Sequence, residues 1–442
     1  MILHSIETKS RSDIEEEQLE HLKKTVDHVF KNVPFYRGQF EKMDISSNDL
    51  NRIDDVRKLP FTTKKDLRDH YPFGLFAVAQ EEIIRLHASS GTSGKSTVVG
   101  YTKEDIKSWT EIVARAIAIA GGKKGDILHN AYGYGLFTGG LGLHYGGEEL
   151  GASVIPISGG NTDRQIEIIQ DFKPRILCST PSYALNIAER MMELGIDPAS
   201  TPLELGIFGA EPWSEEMRKT LEKTFGIKAC DIYGLSEVIG PGVSMECHEG
   251  QNGLHIAEDH FLVEVIDPAT LEHVPDGADG ELVFTSLKKE ALPIIRYRTG
   301  DIASITREKC SCGRTTVRMS RVKGRIDDMI IVRGVNVFPS EVEHHLLQIP
   351  ELVPHYQLHL HRTSSLDTVE LHVEMTDSLH EHTSNDENHP LLQTLKAEIR
   401  ERIKSFCLIS VEVKIHRPKG IERSQGKAVR VVDYRKQKQL HS

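Results

Sequence analysis

The sequence predicts an α/β protein: a large N-terminal domain of layered α/β sheets with a β subdomain, then a small α+β C-terminal domain. Three observations predict it. Short apolar strands alternate with amphipathic helices from about Ile83 to Asp231. Closely spaced β-rich segments follow from Leu254 to Ile305. After Gly324 the pattern restarts as a compact mixed unit. The expected domains are residues 1–325 and 326–442.

The elements follow in order. Ile14 to Phe30 has helical spacing of apolar residues, and Asn32 to Phe73 reads as loops and short helices. Ile127 to Ala131 is a strand, Gly139 to Leu150 a helix and Val154 to Ile157 a buried strand. Thr162 caps a helix carrying Ile166, Ile168 and Ile169, which Pro174 ends. Strands at Ile176–Cys178, Leu205–Phe208 and Lys228–Tyr233 alternate with helices at Ser182–Leu194 and Ser214–Phe225. Phe261–Ile266 and Glu281–Thr285 are short antiparallel strands of a β subdomain, divided by Asp and Gly turns. The last unit has a strand at Met329–Val332, a helix at Pro339–Leu347 and strands at Tyr356–His361 and Val369–Val373. A polar surface loop, Asp377 to Pro390, precedes a helix at Leu391–Phe406 and a strand at Val411–His416.

Composition narrows the function classes. The chain has 442 residues, 38% hydrophobic and 27% charged, with net charge -11. That acidity disfavours general nucleic-acid binding. No run of eighteen apolar residues occurs, so no membrane-spanning helix is expected. The polar, acidic start lacks a secretory signal pattern, which predicts a cytoplasmic protein. Six cysteines in a chain this long are no disulfide scaffold.

One loop carries anion chemistry. Ser89, Ser90, Gly91, Thr92, Ser93, Gly94 and Lys95 combine glycines with hydroxyl and ammonium donors, a composition that suits a triphosphate. It is no Walker loop, because Ser89 stands where that motif needs glycine. Thr97, Val98 and Val99 then begin a strand rather than a helix. An ordinary Ser/Gly turn is the plain alternative.

Five further segments accompany it in order: Phe208-Gly209-Ala210-Glu211-Pro212, Asp231-Ile232-Tyr233-Gly234-Leu235-Ser236-Glu237, Tyr297-Arg298-Thr299-Gly300-Asp301, Gly324-Arg325-Ile326-Asp327-Asp328 and Gly426-Lys427-Ala428. Together the set resembles the acyl-adenylate-forming (AMP-binding) enzymes. The runs Tyr132–Gly140, Gly253–Phe261 and Leu292–Tyr297 resemble the phenylacetate–CoA ligase branch.

The resemblance implies an acid–thiol ligase using ATP, Mg²⁺ and coenzyme A, with phenylacetate the leading carboxylate. It implies that the Ser89–Lys95 loop holds the β- and γ-phosphates. Gly209, Ala210, Glu211, Pro212, Asp231, Ile232, Tyr233, Gly234 and Ser236 would surround the nucleotide, Tyr233 lying beside adenine. Asp301 would accept the ribose hydroxyls and Arg325 add a donor, where the plain reading is an Asp–Arg ion pair. Glu237 would hold Mg²⁺. Lys427 would be the catalytic lysine, and Asp327 the hinge of a mobile C-terminal domain. Tyr132, Tyr134, Phe137, Pro241 and Gly242 would line the acyl pocket, though aromatic residues are often simple core. A homodimer follows by the same analogy. An alternative within the family passes the acyl group to a carrier protein or another acceptor, as a coenzyme F390 synthetase-like enzyme would.

Cys310 and Cys312 resemble half a zinc knuckle. Cys247 with His248 or His255, His255 being favoured, would complete a structural Zn²⁺ site, and two unrelated reduced thiols are the equal alternative. His355, His359, His361 and His372 read as a solvated face of alternating strands.

Overall fold

The computed structural model describes residues 1–89, 96–333, 335–363, 366–383, 386 and 388–435. Helix α1 (Arg11–Asn32) starts where the Ser10 hydroxyl accepts the Asp13 N–H. It buries Ile14, Gln18, Leu22, Val26 and Val29, one stripe at helical spacing. Gln18 donates to the carbonyls of Glu258 and Phe261, docking the helix on later strands. Helix α2 (Pro34–Met43) begins with proline in its first turn, and α3 (Lys64–Asp69) is capped by Thr63.

Strands β1 (Arg85–Ala88) and β2 (Val98–Tyr101) pair antiparallel, with the Ser/Gly loop between them. After α4 (Lys103–Ile119), the chain builds β3 (Ile127–Asn130), α5 (Thr138–Leu150), β4 (Ser153–Ile155), α6 (Thr162–Phe172), β5 (Ile176–Ser179), α7 (Pro181–Glu193), β6 (Leu205–Gly209), α8 (Glu215–Phe225) and β7 (Lys228–Leu235). The strands from β4 through β3, β5 and β6 to β7 run parallel. Period two divides their side chains between two cores. Cys178, Ile207 and Cys230 pack in one core with Trp109, Val113 and Ile117 of α4. Leu177, Phe208 and Ala229 pack in the other with Ile166, Ile187 and Leu221 of α6, α7 and α8. A sheet covered on both faces has no polar alternation, which is why β5 and β6 read as continuous apolar runs.

Strands β8 (Gly240–Glu246), β9 (Leu254–Ile256), β10 (Phe261–Ile266), β11 (Gly280–Ser286), β12 (Tyr297–Ala303), β13 (Ile305–Thr306), β14 (Arg318–Met319) and β15 (Gly324–Arg325) follow. The β-rich region contributes to two sheets. β8, β9, β14 and β13 extend the large sheet to nine strands, and β10, β11, β12 and β15 form a second, antiparallel sheet. Short strands with no long-range signal of their own left that division unreadable.

Strands β16 (Ile330–Val332) and β17 (Val335–Val337) form a hairpin before α9 (Pro339–Leu346). β18 (Leu352–Thr363), β19 (Leu366–Met375), β20 (Glu412–His416) and β21 (Val431–Asp433) make the C-terminal sheet, in order β20-β19-β18-β21. Helix α11 (Pro390–Cys407) packs on it through Leu395, Ile399 and Ile403. This core, from Ile330 to Val413, is separate from the two preceding it.

Two local expectations differ. Asn161, not Thr162, is the cap residue of α6, held left-handed at φ 48 after Gly160 at φ 87; Asn tolerates that region where Thr does not. The Asp377–Pro390 loop contains a short helix, α10 (Asp377–Thr383), which buries Thr383. Among the described residues, no helix is long and apolar enough to cross a membrane.

Candidate active site

The motif segments converge where the parallel strands end. β7 delivers Tyr233, whose hydroxyl donates to Asp301 Oδ2 at 2.7 Å. Pairing of β12 with β15 sets Asp301 directly opposite Arg325. Arg325 Nε lies 3.4 Å from Asp301 Oδ1, and another of its nitrogens donates to the Thr299 carbonyl at 3.3 Å. Asp301 is buried; that burial pushes its carboxyl up, while Arg325 and the Tyr233 hydroxyl pull it back. The Asp–Arg pair thus exists, with Tyr233 as its third member. The Tyr233 ring lies 6.1 Å from Phe284, centroid to centroid.

Glu237 follows on the turn after β7 and is buried. The Thr97 hydroxyl donates to Glu237 Oε1 at 3.1 Å and lies 2.8 Å from the Ser89 hydroxyl. The Thr97 amide also donates to Ser89 Oγ. Thr97 therefore links Ser89, at the start of the Ser/Gly loop, to the Glu237 carboxylate. Ser90, Gly91, Thr92, Ser93, Gly94 and Lys95 lie outside the described residues. Ser236 bonds Thr138 at 3.1 Å, joining the start of α5 to the same turn.

The C-terminal domain reaches this cleft through residues 424–428. The Thr180 and Ser182 hydroxyls donate to the Gly426 carbonyl at 3.0 and 3.3 Å. Glu211 accepts the Ser182 N–H on one carboxylate oxygen and the Ala428 N–H on the other, each at 2.8 Å. Lys427 sits between these anchors, its Nζ 6.0 Å from the centre of the Phe137 ring. Its side chain is open to solvent yet ringed by protein atoms. That crowding and the Arg325 guanidinium lower its pKa, against Glu211 and Asp301, which raise it.

A second set of contacts holds the domain in this position. Glu189 of α7 accepts from His355 Nε2 at 2.7 Å and from Arg423 Nε at 3.0 Å. Arg423 also pairs with Glu374 at 2.7 Å. His344 meets Glu216 of α8 at 2.8 Å, and Lys419 pairs with Glu193. His355 is therefore an interdomain contact and leaves the histidine face expected for it.

Other expected residues have their own settings. Asp231 lies in a buried ionic group with Glu246, Arg218 and Arg321; burial, with the Glu246 charge, raises its carboxyl to about 7. Gly209 packs so closely on β7 that a Cβ would stand 2.1 Å from the Ile232 carbonyl oxygen, and at Gly234 one would stand 1.9 Å from that of Gly240. Ala210 has φ 68, which turns the chain sharply after β6 before Glu211 and Pro212. Tyr132 is buried with its hydroxyl on the Ile207 carbonyl, Tyr134 is half-buried against Asn130 and His144, and Phe137 is exposed. The Pro241 carbonyl accepts from Trp109, and Gly242 at φ 96 packs on α4.

Sequence reasoning missed Thr97, Thr180, Ser182 and Glu189. Thr180-Pro181 carried a signal, since a hydroxyl residue before proline marks a helix start. Lys289 was also missed: it is buried, donates to the Val238 carbonyl at 3.2 Å, and burial lowers its pKa to about 8.

Away from the cleft, donor atoms of Cys247, His255, Cys310 and Cys312 all lie within 4.8 Å of one another. Cys247 and Cys310 sulfurs are 3.6 Å apart, and Cys312 Sγ is 3.4 Å from His255 Nε2. The other nitrogen of His255 meets the Thr316 hydroxyl at 3.0 Å, which fixes the ring.

Comparison with known proteins extends this picture. The family model of the AMP-binding enzymes matches residues 46–287, and that of the AMP-binding enzyme C-terminal domain matches residues 334–435. The phenylacetate-coenzyme A ligase of Pseudomonas putida is 50% identical over 98% of this chain and 97% of the relative. That of Escherichia coli K12 is 50% identical over 98% of both chains. A solved 2-hydroxyisobutyryl-CoA ligase in the postadenylation state, in complex with R3-HIB-AMP, superposes with a TM-score of 0.91 at 28% identity, covering 98% of this chain and 92% of that one. The same ligase in its thioesterification state gives 0.71, covering 99% and 94%. The domain arrangement here is the closer to the postadenylation state.

Proposed function

The chain belongs to the AMP-binding enzymes and, among them, to the phenylacetate–coenzyme A ligases, acid–thiol ligases that use ATP and CoA; from that premise we propose that its acid is an arylacetate, phenylacetate foremost. The acid first becomes an acyl-adenylate and then a CoA thioester, with AMP and pyrophosphate released. The reading of the cleft is supported above all by the docking of Gly426-Lys427-Ala428 on Thr180, Ser182 and Glu211, beside Asp301 and Arg325.

In the first half-reaction a carboxylate oxygen bonds to the α-phosphorus of ATP, and the bond to the bridging oxygen of pyrophosphate breaks. Two anions must approach, so positioned positive charge does most of the work. The Lys427 ammonium spans carboxylate and α-phosphate. Asp301 takes the ribose diol, with Arg325 as the added donor and Tyr233 beside the base. Ser89 to Lys95 hold the outer phosphates, joined by the backbone of residues 209–212 and 231–236. In the second half-reaction the CoA thiol attacks the acyl carbonyl and AMP leaves. Lys427 has no role there, so the domain must undock. Asp327, exposed in a single turn between β15 and β16, is the proposed hinge, and the domains meet at residues 325 and 326. Tyr134, Phe137, Gly209, Ala210, Pro241 and Gly242, over buried Tyr132, form the proposed wall for the aryl ring.

Glu237 offers carboxylate oxygens beside a hydroxyl, a donor set that fits Mg²⁺, which when bound neutralises phosphate charge. Three sulfurs and one imidazole nitrogen at Cys247, His255, Cys310 and Cys312 fit a structural Zn²⁺, which would tie β9 to the 310–312 turn. In purified chain this cluster should hold about one zinc, as a closed four-ligand site holds a single ion. Cys310→Ser with Cys312→Ser should lose it and melt at lower temperature. Zinc near zero in the unaltered chain removes the site. We place the enzyme in the cytoplasm as a homodimer; six unbridged cysteines suit a reducing compartment, and light scattering measures the assembly.

A panel of carboxylates with ATP, Mg²⁺ and CoA tests the function. Phenylacetate or a ring-hydroxylated phenylacetate should give the highest kcat/KM, with AMP and thioester formed in equal amounts. Preference for acetate or a fatty acid would contradict the substrate. Pyrophosphate release without CoA thioester would contradict the acceptor.

A further inference from the structure

The C-terminal sheet has one apolar and one polar face. Leu358, Leu360, Leu371, Val373 and Val413 lie in the core with α9 and α11. Alternation sends the intervening residues to the opposite face. Strand register there sets His359 opposite Glu370 on adjoining strands, with His372 one step along and His416 on the next strand. The His359 and His372 rings stack at 3.9 Å between centroids, and those of His372 and His416 at 5.0 Å. One donor atom from each of His359, Glu370 and His372 lies within 4.8 Å of the others.

His372 is the centre of the group. Its Nδ1 is 2.8 Å from His416 Nε2, and its Nε2 is 3.3 Å from Glu370 Oε2. With Nδ1–H donated to His416, Nε2 presents a lone pair to a carboxylate oxygen, two acceptors with no proton between them. Two donors on a tetrahedral zinc stand about 3.3 Å apart, given metal–ligand distances of about 2.0–2.1 Å. The His372–Glu370 pair has that spacing. His361 Nε2 lies 3.6 Å from the same Glu370 oxygen, within reach as a further donor. The remaining charges on this face are engaged: Lys414 pairs with Glu412, and Glu374 with Arg423.

We propose that His359, Glu370 and His372 form a transition-metal site on the C-terminal domain, distinct from the cysteine cluster, that takes a borderline divalent cation of the zinc class. Imidazole and carboxylate donors suit such an ion better than Mg²⁺ or Cu(I). His416 is a positioning residue, holding the His372 ring in the tautomer that ligates.

Untagged full-length chain is titrated with Zn²⁺ by calorimetry and with Co²⁺ by absorption. One equivalent should bind beyond any held by the cysteines, and its cobalt form should lack a thiolate charge-transfer band. His359→Asn with His372→Asn should abolish that equivalent, and Cys310→Ser with Cys312→Ser should retain it. His416→Asn should weaken it by about 10–100-fold, the effect of losing an outer partner of a ligand. If the double variant does not fold, Glu370→Gln reads the same site and should weaken it at least as much. No added equivalent in the unaltered chain, or an equivalent indifferent to His359, Glu370 and His372, means a plain solvated face and overturns the proposal.

Discussion

Lys427→Ala should lower acyl-adenylate formation by about 10²–10³-fold, the usual loss when one preorganised donor to a developing anion is removed. The second half-reaction, measured from supplied phenylacetyl-adenylate and CoA, should change little. The split follows from geometry. Glu211, Thr180 and Ser182 hold residues 424–428 at the cleft, and in the proposed cycle thioester formation follows their release. The pH profile carries the same signature. Crowding and Arg325 lower the Lys427 pKa, and its proposed role requires the protonated amine. Adenylation in the unaltered enzyme should therefore fall on an alkaline limb beginning below the ordinary lysine range. Thioesterification should lack that limb. Equal loss of both half-reactions in Lys427→Ala would remove the lysine from its proposed role.

Glu211→Gln should slow adenylation by about 10–100-fold, which is about 1.5–3 kcal/mol for a hydrogen bond to a charged group. The carboxylate now accepts two backbone N–H groups, one from each domain. An amide keeps one acceptor and turns an N–H₂ group toward the other donor. Docking of Lys427 is weakened, and one of the carboxylates that raise the Lys427 pKa is lost with it. Rapid-quench measurement of adenylate and thioester should find the first step slowed and the second unchanged or faster, because the undocked state is more populated. An unchanged first step would show that the two bonds do not hold the lysine.

These two predictions mark what the sequence could and could not reveal. The alternating strands, the loop between β1 and β2 and the position of Lys427 were legible because apolar period and short motifs are local signals. Asp301 and Arg325 were legible as motif members, but their direct opposition depends on the pairing of β12 with β15. Glu211 read as part of a nucleotide motif; its bond to Ala428 spans 217 residues and no local pattern encodes it. His355 shares the spacing of its neighbouring histidines, yet it packs against Glu189 because the pairing of β18 with β19 shifts between Leu352 and Tyr356. The split of the β-rich region between two sheets was hidden for the same reason. Two-residue strands such as β13 and β14 exist only through their partners.

The central claim is that adenylate forms in the cleft bounded by Tyr233, Asp301, Arg325 and docked Lys427. A crystal of the chain with a non-hydrolysable phenylacetyl-adenylate analogue measures this directly. The ribose diol should lie within hydrogen-bond distance of Asp301, with adenine against Tyr233 and Lys427 Nζ on the phosphate mimic. An analogue bound elsewhere, or bound here with Lys427 remote from it, would contradict the account.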